Sequence, residues 1–159
     1  MSHNIRQKLQ GIQSSLKAPK GQTNKFGGYK YRSCEDILTA VKPLLAEWGC
    51  SIVIQDDIVE VGGRVYVKAT ASLADNETEL AVSATAFARE AEIKKGMDDA
   101  QITGSASSYA RKYALNGLFA IDDTKDADAT NDHGKRVPRN KDVVFDDMQK
   151  KHDAKQVGF

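Results

Sequence analysis

The sequence predicts an α+β fold, an antiparallel β-meander in β-β-β-α order covered by helices and followed by a disordered C-terminal tail. Three observations carry that prediction. Residues 64–73 and 80–89 alternate apolar and polar side chains, the period of a strand with one buried face. Gly62-Gly63 and Asp75-Asn76-Glu77 interrupt that alternation at turn positions. Two capping boxes, Ser33 with Asp36 and Asp98 with Gln101, each open an apolar run at helical spacing.

Taken in order, His3 to Leu16 places Ile5, Leu9, Ile12 and Leu16 at helical intervals, so a short amphipathic helix docks its stripe on the core or on a neighbouring subunit. Lys17 to Gly28, with Pro19 and three glycines, reads as a flexible basic connector. Tyr29, Lys30, Tyr31 and Arg32 alternate aromatic and basic, which in a strand sets rings on one face and cations on the other. The Ser33 box then opens a helix through Ile37, Leu38, Val41, Leu44, Leu45 and Trp48, closed by Gly49, with Pro43 inside it and Trp48 as a core plug.

Three strands follow. Cys50 to Val61 leads into the Gly62-Gly63 hairpin. Val65, Val67, Ala69, Ala71 and Leu73 face inward from the second strand, and Leu80, Val82, Ala84, Ala86 and Ala88 from the third. The outer face receives Arg64, Tyr66, Lys68, Phe87 and Arg89, a mixed cationic and aromatic surface. Glu90 to Asp99, with acids and bases interleaved around Gly96, reads as an exposed loop or a strand extension. The helix from Asp99 onward, in the stretch Gln101 to Asp123, puts Ile102, Ala106, Tyr109 and Tyr113 on one packing face and Gly104, Ser107 and Arg111 on the opposite one. The small residues Gly104 to Ser108 let a phosphate or another backbone approach. Beyond Ile121 hydrophobic periodicity is lost, apart from a weak helix over Val143 to Lys155. The expected organisation is a helix and basic linker over 1–24, a core over 25–123 and a flexible charged tail over 124–159.

The chain of 159 residues is one domain's worth, long enough to bury a core. It has no apolar run of about 18 residues and no apolar stretch at its N-terminus, so the expectation is a cytoplasmic protein with no membrane partner. Cys34 and Cys50 are isolated and read as reduced, structural thiols. A net charge of +1 conceals an asymmetry: seven basic residues and no acidic one precede Glu35, whereas Asp122 to Asp132 holds five aspartates against Lys125. Local fields rather than the total decide what such surfaces attract.

Several catalytic chemistries lack their motifs. There is no GxxxxGK[ST] loop for a nucleotide phosphate, no HExxH, no Cys/His cluster, and no histidine placed to activate a serine. Asp56, Asp57, Glu60, Asp98 and Asp99 could hold a magnesium ion for a nuclease, but exposed turn acids and a helix cap explain them better. The chain reads as a binder with no cofactor. Its candidate phosphate contacts are Lys25, Lys30 and Arg32 near the N-terminus, and Arg64, Lys68 and Arg89 on the sheet.

KFGGYKYRSCEDILTAVKPLLAEWG, followed some fifty residues later by AQITGSASSYARKYALNGLFAIDDTKDADA, resembles the ERF (essential recombination function) family of bacteriophage single-strand annealing proteins, over roughly residues 1 to 130. The resemblance implies a protein that binds single-stranded DNA and pairs complementary strands without ATP, as a homo-oligomeric ring or filament in the bacterial cytoplasm. It implies a β-β-β-α core like that of ring-forming annealing proteins of the eukaryotic recombination mediator type. It also implies a cation on the helix after the sheet, where Arg111 and then Lys112 stand, and a tail that meets host or phage recombination or replication proteins. The competing expectations are a metal-dependent nuclease acting on DNA and a protein-only interaction module.

Overall fold

The structure is a computed structural model that describes residues 3–122. Its elements are α1 (Ile5–Ser15), β1 (Gln22–Thr23), β2 (Lys30–Tyr31), α2 (Cys34–Glu47), β3 (Cys50–Val61), β4 (Arg64–Asp75), β5 (Ala81–Arg89) and α3 (Asp99–Phe119). The expected tail and its weak helix lie outside the described residues. Among the described residues no helix is long and apolar enough to cross a membrane.

The three long strands form the antiparallel sheet β3-β4-β5, so the predicted meander and the following helix stand as expected. Gly62 and Gly63 have φ of +60° and +72°, the pair of left-handed residues that a tight two-residue hairpin requires. The register sets Ile54 opposite Ala71 opposite Ala84 on the inner face, and Asp57 opposite Lys68 opposite Phe87 on the outer face. Leu80, expected inward, precedes β5 and is exposed.

Among the described residues, α1, α2 and α3 each begin in a capping box. Asn4, Ser33 and Asp98 each accept from the third helical backbone N–H, and Gln7, Asp36 and Gln101 bond back to the cap. The Ser33 backbone N–H, donating to Asp36 at 2.8 Å, holds that carboxyl below the ordinary carboxylate range. Pro43 sits inside α2 without ending it.

The helix-covered face is a close-packed seam of small residues. Ala106, Ala110 and Ala114 of α3 join Ala69 and Ala71 of β4 in the buried core, with Ala84, Ala86 and Ala88 of β5 packed against it. A Cβ added at Gly117 would lie 3.7 Å from the Ala84 Cβ. Larger side chains close the ends, where Phe119, Leu115, Ile37, Val41, Val67 and Leu73 are fully buried. Ile5 and Ile12 bring α1 into the same core, and Gln13 donates to the Leu118 carbonyl near the end of α3 at 2.9 Å. Trp48 plugs the gap between α1 and the end of α2, as expected: its ring lies so close over Gly11 that an added Cβ would be 2.1 Å away. Lys8 crosses from α1 to Asp75 at the end of β4, 2.9 Å away, with both side chains almost fully buried. Asp75 also accepts from the Glu77 backbone N–H, and these two bonds hold its carboxyl below the ordinary range, while the bond to Asp75 raises the Lys8 ammonium.

Candidate nucleic-acid interface

The candidate cations divide between two sides of the layer. Arg64, Lys68 and Arg89 extend from the sheet face opposite α3, together with Tyr66 and Phe87. The register makes them a checkerboard: Arg89 lies opposite Tyr66, Phe87 opposite Lys68, and Arg64 two positions along the strand from Tyr66. Asp57, opposite Lys68, is the one carboxylate of that patch. Farther along β4 and β5 the face carries hydroxyls in cross-strand pairs, Thr70 with Thr85 at 3.2 Å and Ser72 with Ser83 at 2.8 Å, while β3 adds exposed Val53 and Val61 to it. A cleft of about 340 Å³ at the hairpin end is lined by Arg64 and Arg89 but also by Glu90, Glu92 and Asp99. Net positive character therefore belongs to the open face and not to the cleft.

Arg111 and Lys112 belong to the other side. Arg111 projects from α3 toward β3 and pairs with Asp56 through two donor atoms, Nε at 3.1 and 2.9 Å from the two oxygens and Nη2 at 2.9 Å from Oδ2. Ser107, one turn earlier, donates to the same carboxylate at 2.5 Å. Asp56 is thus not a turn acid, as the sequence suggested, but a strand residue on the helix-covered face that orients the arginine. Asp57 and Glu60 likewise lie within β3, whereas Asp98 is the helix cap it was expected to be. Cys34, the first residue of α2, is near enough to feel the charges of Arg111 and Asp56, although burial is what chiefly pushes its thiol up. Cys50 is raised for the same reason, and both cysteines are buried free thiols.

The tyrosines of α3 are a correction. Tyr109 and Tyr113 were expected to pack, yet they are 52% and 47% exposed. The buried positions Ile102, Ala106, Ala110, Ala114 and Leu118 recur every fourth residue. Each such step advances about 40° around the helix, so the buried stripe winds away from the line through Ile102 that contains both tyrosines. Their rings stack on each other at 6.3 Å, with the Lys112 Nζ 5.5 Å and 5.2 Å from the two centroids.

The N-terminal candidates also separate. The expected flexible connector is instead a small hairpin, Gln22 opposite Tyr31 and Thr23 opposite Lys30. Lys25 and Lys30 are exposed on it. Tyr29 and Tyr31 share a face with ring centroids 6.3 Å apart, as alternation requires. Arg32 does not follow Lys30 into solvent: the strand ends at Tyr31 and Arg32 is only 7% exposed. Sequence reading missed Phe26 at the hairpin tip, which is fully exposed, because an isolated aromatic in a Gly-rich loop has no periodicity to betray its setting.

The arrangement offers what a polyanion with flat faces needs, cations beside exposed rings, on two separate surfaces. The chain is 60% identical over 133 residues to a protein of Salmonella phage P22 described as "Essential recombination function protein", an alignment covering 84% of this chain and 62% of that relative. The chain therefore spans less than two thirds of the relative's length. No solved structure matches. The model of the ERF superfamily matches residues 5–155, and the chain belongs to that family.

Proposed function

We propose that this protein binds single-stranded DNA and anneals complementary strands without ATP in phage homologous recombination, acting as an oligomer, a ring or a filament, in the cytoplasm of the bacterial host. Its family and the name of its P22 relative support the recombination role. The observation that carries the binding reading is the open sheet face, where Arg64, Lys68 and Arg89 interleave with Tyr66 and Phe87. Annealing requires that phosphates be neutralised while base edges stay available to a second strand. Cations on a flat sheet beside aromatic rings meet both conditions, and no covalent step is needed.

Assembly has a physical basis in the same sheet. β3 and β5 are its two edges, and Val53, Ile58 and Val61 of β3 are exposed. An open, apolar edge of this kind favours pairing with another chain. The sheet cations and the α3 cations do not form one groove within a protomer, so a strand that touches both sets wraps a sheet edge or passes between protomers.

Titration of a labelled oligonucleotide at several salt concentrations, with mass measured by light scattering, tests the reading. The expected result is sequence-independent binding by an oligomer, weakening linearly in log salt. Absence of any affinity would leave a protein-only module. Magnesium-dependent cleavage abolished by replacing Asp98 or Asp99 would make the protein a nuclease.

A further inference from the structure

The β1–β2 hairpin is more ordered than a connector needs to be. Asn24 Oδ1 accepts from the backbone N–H of Phe26 at 2.9 Å and of Gly27 at 3.1 Å, while its Nδ2 donates to the Tyr29 hydroxyl at 2.9 Å. Backbone bonds from Asn24 N to the Tyr29 carbonyl and from Gly28 N to the Asn24 carbonyl, 2.9 and 2.8 Å, close the turn. Gly28 takes a φ of +66°, and the Tyr29 ring lies over Gly27 so closely that a Cβ there would be 2.4 Å away. The product of this bonding is an apex that holds the Phe26 ring wholly in water, on a hairpin that also exposes part of Tyr29 and Tyr31. Lys25, next to Phe26 in the chain, and Lys30, on the face of β2 opposite the two tyrosines, are both exposed, and no Asp or Glu occurs in the first 34 residues.

We propose that this hairpin is a finger that stacks Phe26 on a base of single-stranded DNA while Lys25 and Lys30 hold neighbouring phosphates. The assignment rests on the reading of the protein as a single-strand binder. Charge selects the occupant: two copies of so basic a tip repel each other, whereas a polyanion with exposed flat faces matches both the cations and the ring. A duplex presents the phosphates but hides the base faces, so the finger favours the single strand.

The ring and the lysines leave different signatures. Stacking is uncharged, so Phe26→Ala should weaken binding to an oligothymidylate roughly tenfold without changing its salt slope. Lys25→Ala and Lys30→Ala should each flatten the slope by about 0.7. Phe26→Trp, in full-length protein, should restore affinity and show fluorescence quenched by the oligothymidylate but not by an abasic strand of equal length. Unchanged affinity of Phe26→Ala, or equal quenching by the abasic strand, overturns the proposal while leaving single-strand binding intact. Loss of oligomer mass in Phe26→Ala, with affinity per protomer retained, would assign the finger to a second copy instead. A wild-type protein that binds no oligonucleotide removes both this proposal and the function it rests on.

Discussion

The pair between Arg111 and Asp56 makes an unusual prediction: if Arg111 contacts DNA, as the resemblance to annealing proteins implies, removing the negative charge that orients it should tighten DNA binding. Asp56 occupies two donor atoms of Arg111 in the geometry a phosphate would use, with Ser107 as a third contact. The side chains are 43% and 21% exposed, so solvent screens the pair and its net worth is about 1 kcal/mol. If a phosphate must displace Asp56, the near-isosteric Asp56→Asn should strengthen single-strand binding by up to about fivefold, the equivalent of that energy. Arg111→Ala should weaken binding and flatten the salt slope by about 0.7. In the double variant Asp56→Asn should have no further effect, because the competitor matters only while the arginine is present. Fluorescence anisotropy at several salt concentrations measures all four proteins, with circular dichroism and light scattering as controls for fold and mass. Equal tightening by Asp56→Asn with and without Arg111 would mean a general charge effect. Wild-type affinity in Arg111→Ala would mean that the arginine only ties α3 to β3.

Two further predictions concern the sheet face and the core. Replacing Arg64, Lys68 and Arg89 together with alanine should flatten the salt slope by about 2, three contacts at 0.7 each, with the melting temperature little changed because all three stand on the open face; an unchanged slope would remove that face from the DNA path. Lys8→Met should lower the melting temperature at neutral pH by leaving buried Asp75 without its ammonium. The Asp75 carboxyl is held below its ordinary range, so the stability it contributes is present above about pH 4 and is lost as pH falls through its lowered value. The deficit of Lys8→Met should therefore shrink in acid, and a deficit independent of pH between 7 and 2 would contradict the assignment.

What was legible in the sequence follows from where the information is local. The strands and their inner and outer faces could be read because period-two alternation and a Gly-Gly turn fix register within one hairpin. Helix starts could be read because a capping box spans only four residues. The face of α3 could not, because a small drift per turn accumulates along 21 residues until the tyrosines leave the buried stripe. The alternation of Tyr29 to Arg32 marked the β2 segment, but its pairing with β1 escaped notice because Gln22-Thr23 is too short to register as a strand and the bonds that hold the tip come from one asparagine. Asp56 was misplaced for a different reason: its partner is 55 residues away, and only the packing of α3 on the sheet brings them together. The same separation explains why Lys8 reads as a surface charge until β4 supplies Asp75, 67 residues later.

A protein that pairs complementary single strands as proposed needs no energy source other than base pairing. Annealing of two complementary oligonucleotides, one labelled with a donor and the other with an acceptor fluorophore, should be followed with and without the full-length protein in EDTA and without nucleotide. Pairing should be faster in the presence of the protein and slowed by the Arg64, Lys68 and Arg89 triple substitution. An annealing rate no greater than that of the naked strands, under conditions where the protein coats them, would contradict the proposed function.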